Sequence, residues 1–163
     1  MAILHADSYA RSLEEKITDG LRLFGLELRG KTVLLKPNLV EYVPGAELNT
    51  NPLLGAAAGA LLALGAKTVV VGEGPGNQRD TYLVLAQSGF ESQLRDRKLS
   101  FVDLNRDDVR QVKVTTPFTG LDSMWIPQSI LAADFVVSMP KVKTHHWAGV
   151  TLSLKNMFGA LVK

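Results

Sequence analysis

The polar residues that could do chemistry in this chain sit just beyond short apolar runs. Thr32-Val33-Leu34-Leu35 leads into Lys36 and Asn38, two positions apart and so on one side of an extended chain. Thr68-Val69-Val70-Val71 leads into Glu73, set among glycines, and Ser100-Phe101-Val102 leads into Asp103 and Asn105. Phe135-Val136-Val137 is followed by Lys141, Lys143, Thr144, His145 and His146. Lysines, a carboxylate and imidazoles brought to one edge could hold a carboxylate or phosphate through charge-assisted hydrogen bonds. The plain alternative is that each polar group only solvates a strand end.

Gly72-Glu73-Gly74-Pro75-Gly76 is a glycine-rich turn in which backbone N–H groups at Gly74 and Gly76 could approach an anion. It is not the dinucleotide fingerprint, because Asn77 stands where the third glycine belongs. The Gly59 to Thr68 stretch fails as a phosphate loop because its spacing is wrong and it precedes a strand. Glu73 is a candidate general base or metal ligand, with Asp80 and Asp103 as partners. The structural alternative has Asp80 capping its helix and Glu73 pairing with Arg79. His145 and His146 are weak metal candidates, since adjacent residues point apart on a strand or helix. Either imidazole could instead bind an anion or move protons.

From Phe135 to Lys163 there is no acidic residue, while Lys141, Lys143, Lys155 and Lys163 add positive charge. Thr151 and Lys155, one helical turn apart, could extend an anion site. The alternative is a solvated basic face. Trp147 could stack on a ligand, though packing at a rim is the commoner role.

The elements that must position these groups follow from periodicity. Leu13, Ile17, Leu21, Phe24 and Leu28 predict an amphipathic helix over 9–24, with Ser8 or Ser12 as cap. Pro37 ends the first buried strand near Lys36. Asn51 as N-cap with Pro52 at the first helical position starts a helix that runs to about Gly65. Another helix starts at Arg79 or Asp80 and ends at Gly89. Val109 to Val114 and Met124 to Ile126 form a small hairpin, Gln128 to Ala133 a short helix, and Phe135 to Val137 a fourth buried strand. The C-terminal segment fits both periods, and its longer stretch favours a helix from about Thr151. Strands alternating with helices predict an α/β fold: a mostly parallel open sheet of about four strands with helices on both faces, plus the hairpin. Ligands of such sheets bind beyond the carboxyl ends of the strands.

Composition narrows the function classes. Cysteine is absent, so this chain ligates no iron–sulfur cluster, forms no disulfide and has no thiolate nucleophile. With 18 basic and 16 acidic residues the charge is too balanced to argue for nucleic acid. The longest uncharged run, Pro52 to Ala66, is shorter than the ~20 residues of a membrane span. The first residues lack the pattern of a secretory signal. A cytoplasmic location is the expectation.

Five segments together resemble a known family: Lys36-Pro37-Asn38-Leu39-Val40; Asn49-Thr50-Asn51-Pro52; Gly72 to Gly76 with Arg79-Asp80-Thr81; Lys141-Val142-Lys143-Thr144-His145-His146; and Leu154-Lys155-Asn156-Met157-Phe158-Gly159. Their order and spacing are similar to domain-of-unknown-function family 362. That resemblance implies a bacterial or archaeal protein, sometimes fused to ferredoxin-type iron–sulfur modules, with no assigned reaction. Members usually continue into a second half, so residues 1–163 are expected to be one α/β domain, the N-terminal half of a longer one. Asn49 and Arg79 join the ligand-binding candidates through these motifs.

The expected function is an enzyme domain acting on a small carboxylated or phosphorylated metabolite. Lys36, Lys141, Lys143 and Lys155 would bind the anion, with Asn49, Gly74, Gly76, Arg79 and Thr144 around it. Asn38 and Asn156 would orient it, and Glu73, His145 or Lys143 would do the chemistry. The rival is a non-catalytic accessory module that docks on a redox partner or self-associates through its apolar C-terminal helix. Nucleic-acid binding ranks last. Substrate, cofactor and metal are not readable.

Overall fold

The Val- and Leu-rich runs form strands with few polar side chains, as expected for a sheet with little contact with water. In the computed structural model, which describes residues 1–6, 12–44, 49, 51–76, 79–115, 120–145 and 147–161, Thr32–Lys36 (β1) pairs in parallel with Thr68–Glu73 (β2). Ser100–Asp103 (β3) pairs in parallel with β2, and Phe135–Ser138 (β6) with β1. The sheet order is β3-β2-β1-β6. The chain therefore leaves β1 toward β2 and β3 and later returns to its other side. That reversal opens a crevice beyond the carboxyl ends of β1 and β6, where open parallel sheets take ligands.

Val33, Leu35, Val69 and Val71 share one face of the sheet and join the core with Leu54, Ala57, Ala58 and Leu61 of Asn51–Ala63 (α2). Leu13–Arg22 (α1), Thr81–Gln87 (α3) and Phe90–Asp96 (α4) complete this layer, α1 and α4 packing on α2. Small residues allow close packing, and a Cβ on Gly59 would collide with the Glu14 carboxylate of α1. Val109–Lys113 (β4) and Ser123–Pro127 (β5) form the expected antiparallel hairpin, and Gln128–Ala132 (α5) leads into β6.

Four expectations need correction. The first helix begins at Leu13 and ends at Arg22; residues 7–11, with the Ser8 cap, lie outside the described residues, and Ser12 makes no side-chain cap bond. Phe24 is exposed because the chain turns out of the helix at Gly25, whose φ is +58°. The helix α4 after Gly89 was not anticipated. Gly89 takes φ +77° and ends α3 as expected, but its turn leads straight into this second helix. Third, β6 is an edge strand and is not buried on both faces: Val136 stays partly exposed.

The fourth concerns the C-terminal segment, which is not a helix from Thr151. Lys143–His145 (β7) and Gly149–Thr151 (β8) form an antiparallel hairpin, and helix begins only at Ser153–Met157 (α6), followed by a 3₁₀ turn over Phe158–Ala160. The alternation Val150, Thr151, Leu152 was strand signal, and helical spacing took over only after it. Asn51 and Pro52 begin α2, but their side chains lie outside the described set.

Candidate functional site

β1 ends at Lys36 because Pro37 cannot extend the ladder, and the Lys36 side chain, 1% exposed, turns to its neighbour strand. Its Nζ donates to Glu73 Oε1 at 2.5 Å and to the Pro37 carbonyl at 3.3 Å. Glu73 closes β2 and is 2% exposed. Its Oε2 accepts the Leu39 N–H at 2.8 Å, and its Oε1 also accepts the Gly74 N–H at 2.9 Å. One ammonium and two backbone amides thus occupy this carboxylate. It joins the loop after β1 to the turn after β2. Gly159 closes over the pair, and a Cβ there would stand 3.1 Å from both Lys36 Nζ and Glu73 Oε1.

A second chain of bonds runs beside it. Asn38 Oδ1 accepts from Lys143 Nζ at 2.6 Å, while its Nδ2 donates to Asn156 Oδ1 at 3.2 Å. Asn156 Nδ2 donates in turn to the Lys36 carbonyl at 3.2 Å and to Ser138 Oγ at 3.0 Å. Asn156, on α6, is buried and fastens that helix to the ends of β1 and β6. Lys143 is directly opposite Thr151 in the β7–β8 hairpin, so the two share its inner face. Burial and the nearby Lys141 charge hold the Lys143 ammonium below the usual lysine range, with Lys155 adding to the effect and Glu73 and Glu41 opposing it.

These groups wall a cavity of about 400 Å³, within the range of small-molecule sites. Lys36, Asn38, Glu73, Gly74, Gly76, Lys143, Thr144, His145, Lys155 and Asn156 all line it, along with Thr151. His145 Nδ1 accepts N–H bonds from Trp147 at 3.1 Å and Ala148 at 3.2 Å, so the proton of its neutral ring lies on Nε2. Lys155 Nζ stands 5.7 Å from the centre of the Phe158 ring, a cation–π contact on the wall. Lys36 is offset by Glu73, and Arg79 pairs with Glu41 at 2.7 Å. Lys143 and Lys155 give the wall its positive balance.

Other candidates stand outside the lining. Asn49 fastens the loop, its Oδ1 accepting the Val40 N–H at 2.8 Å and its Nδ2 donating to the Glu41 carbonyl at 3.1 Å. Lys141 Nζ donates to the Asn49 carbonyl at 3.5 Å, and Arg79 meets the pocket lining through Glu41. Glu73 does not pair with Arg79. Asp80 does cap α3, accepting the Leu83 N–H at 2.8 Å. Asp103 accepts the Asn105 N–H at 3.0 Å, and Asn105 donates to the Pro75 carbonyl at 3.0 Å. Both therefore shape the glycine turn from β3. His146 lies outside the described residues. Among the described residues no three His, Asp or Glu side chains gather as metal ligands.

Sequence reasoning missed Ser138, Glu41 and Gly159. The Phe158-Gly159 pair in the last motif was the available signal for Gly159. Nothing marked Ser138, a serine at the end of an apolar strand, as a partner of a residue 18 positions later.

The model of the domain of unknown function DUF362 matches residues 33–163, so the chain belongs to that family. A thylakoid-associated protein of Synechocystis sp. is 28% identical over 135 residues, which are 81% of this chain and 40% of that relative. The chain thus spans about two fifths of the length of the curated relative it matches. No solved structure matches it. Among the described residues, no helix is long and apolar enough to cross a membrane.

Proposed function

We propose that this domain binds a small carboxylated or phosphorylated metabolite beyond the carboxyl ends of β1, β2 and β6 and acts on it as part of an enzyme. The observation that carries the proposal is the cavity at the reversal of strand order, with Lys143 and Lys155 on its wall. Asn38 and Asn156 hold Lys143 in place, and Thr151 offers a hydroxyl beside it. Glu73 is a positioning residue in this reading, and His145 is the group left to move a proton. Differential scanning fluorimetry with phosphate, oxalate and a panel of metabolite acids tests it. Stabilisation by one of these should vanish in Lys143→Met and weaken in Lys155→Met. Equal stabilisation of both variants and the parent would end the proposal.

An accessory, non-catalytic role has one observation in its favour. Val142, Trp147 and Leu154, each next in sequence or one removed from a residue that lines the pocket, are 74%, 88% and 89% exposed, an unusual display of apolar surface. It suits docking on a redox partner, such as an iron–sulfur protein, or self-association. Sedimentation separates the readings: a monomer at micromolar concentration favours the enzyme, a concentration-dependent assembly the module. A cytoplasmic location stands beside the thylakoid association named for the Synechocystis relative, and cell fractionation distinguishes them. The longer relative also supports the proposal that residues 1–163 form the N-terminal part of a larger unit. Nucleic-acid binding has no basic stripe to support it.

A further inference from the structure

We infer that Lys143 is a nucleophile that forms an imine with the carbonyl carbon of a 2-oxo acid held in this pocket, an inference that rests on the anion-binding role just proposed. Three lysines line the cavity, and each has a different setting. Lys36 is locked on Glu73 in a buried ion pair. Lys155 is exposed, and its ammonium lies over the Phe158 ring. Lys143 is half-buried on the wall, and its Nζ is aimed by the neutral amide oxygen of Asn38. That amide is itself fixed through Asn156 to the ends of β1 and β6. A lysine amine attacks only when neutral, and desolvation beside other cations is the arrangement that activates one. Burial with Lys141 and Lys155 nearby supplies that arrangement.

The same wall explains why the carbonyl belongs to an acid. A 2-oxo acid carries its carboxylate on the atom next to its ketone or aldehyde carbon. A carboxylate drawn to Lys155 and the Thr151 hydroxyl would present that carbon toward Lys143. The nitrogen lone pair forms the new C–N bond as the carbonyl π electrons move to oxygen, giving a carbinolamine. The C–O bond then breaks, and the oxygen departs as water with the two hydrogens that the neutral amine carried. No oxidant or reductant is consumed. His145, with its proton on Nε2, offers a hydrogen bond to the oxygen as charge gathers there.

The test is reductive trapping of the full chain. Glyoxylate, pyruvate and 2-oxoglutarate are each incubated with the protein and sodium cyanoborohydride, and tryptic peptides are mapped by mass spectrometry. The expected result is labelling concentrated at Lys143, suppressed by excess oxalate, which has the charges but no ketone or aldehyde carbon. Lys143→Arg should lose that label while keeping stabilisation by oxalate, because arginine retains the cation and has no attacking amine. Label no denser at Lys143 than at the exposed Lys98 and Lys113 would overturn the imine. Oxalate stabilisation persisting in that case would leave the anion site standing. Absence of both trapping and stabilisation would remove the two together. Suppression by oxalate is read on the parent protein, so the test survives a poorly folded variant.

Discussion

The Lys36 ammonium and the Glu73 carboxylate meet at 2.5 Å where two neighbouring parallel strands end, both side chains almost wholly excluded from water. Because β1 and β2 are in register, Leu35 lies beside Val71, and Lys36, one residue on, and Glu73, two residues on, meet at the carboxyl end of the sheet. Removing one partner strands the other as a buried charge. Lys36→Met and Glu73→Gln should each lower unfolding free energy by about 3–5 kcal/mol. The double substitution should cost clearly less than their sum, as expected for residues in contact. Urea titration of the four proteins measures this coupling, and strict additivity would contradict it.

Gly159 covers that ion pair. A methyl group there meets Lys36 Nζ and Glu73 Oε1, side-chain ends that are pinned by each other and by backbone amides. Gly159→Ala should destabilise by about 1–3 kcal/mol, the range for overpacking a tight site. Thermal unfolding reads the loss, and an unchanged midpoint would show that α6 and its 3₁₀ turn give way freely.

Asn156 joins three partners, Lys36 and Asn38 at the end of β1 and Ser138 at the end of β6. Asn156→Ala removes the bonds this side chain makes to Asn38, the Lys36 carbonyl and Ser138 Oγ, at about 1–3 kcal/mol for buried hydrogen bonds lost. Because Asn38 orients Lys143, the response to oxalate should also fall. Fluorimetry with and without oxalate separates the two effects, and loss of stability with a full ligand response would confine Asn156 to a structural role.

The Lys143 ammonium is held below its ordinary value by burial and by Lys141. The unfolded chain then binds the proton more tightly than the folded one. The stabilising contribution is complete only above the ordinary value of 10.5 and is lost as pH falls through the folded value. Wild-type stability relative to Lys143→Met should therefore rise as pH approaches 10.5. Urea midpoints measured from pH 7 upward check the sign, and a flat difference would refute it.

Asp134 sits at the start of β6, where its carboxylate accepts the Thr32 N–H at 2.8 Å and pairs with Lys31 at 3.2 Å. The Thr32 hydrogen bond, then that to Lys31, keeps its carboxyl below the usual 3.8. The stability it contributes is present above 3.8 and disappears as pH falls through the lower folded value. Asp134→Asn should narrow the stability difference between neutral and strongly acidic solution. Acid titration followed by circular dichroism measures that difference, and identical acid profiles would exclude the contribution.

The sheet was readable because β1 and β2 are short continuous apolar runs closed by Pro37 and by glycines, and each signal is local. Lys36, Asn38, Glu73 and Lys143 were legible as a group because a parallel sheet brings strand ends together whatever the loops do. Their division of labour was not. Glu73 reads as a base in sequence, yet two of the three residues that occupy it, Lys36 and Leu39, lie more than 30 positions away along the chain. Asn49 and Arg79 looked like ligand contacts, but their bonds to the loop at Val40 and Glu41 depend on how that loop folds back. The β7–β8 hairpin was lost because its strands are only three residues each, too short for alternation to outweigh the helical spacing of Val150, Leu154, Phe158 and Leu161.

That small hairpin has polar Lys143 and Thr151 on its inner side, while Val142, Val150 and Leu152 face outward. Strand side chains alternate with a period of two, so inserting or deleting one residue in β7 would turn its ceiling inside out. Val142 or Thr144 would then take the place of Lys143, and its charge would leave the cavity while Lys155 stayed. The length of the Pro140–Lys143 connection is therefore as much a determinant of the pocket's chemistry as the lysine itself.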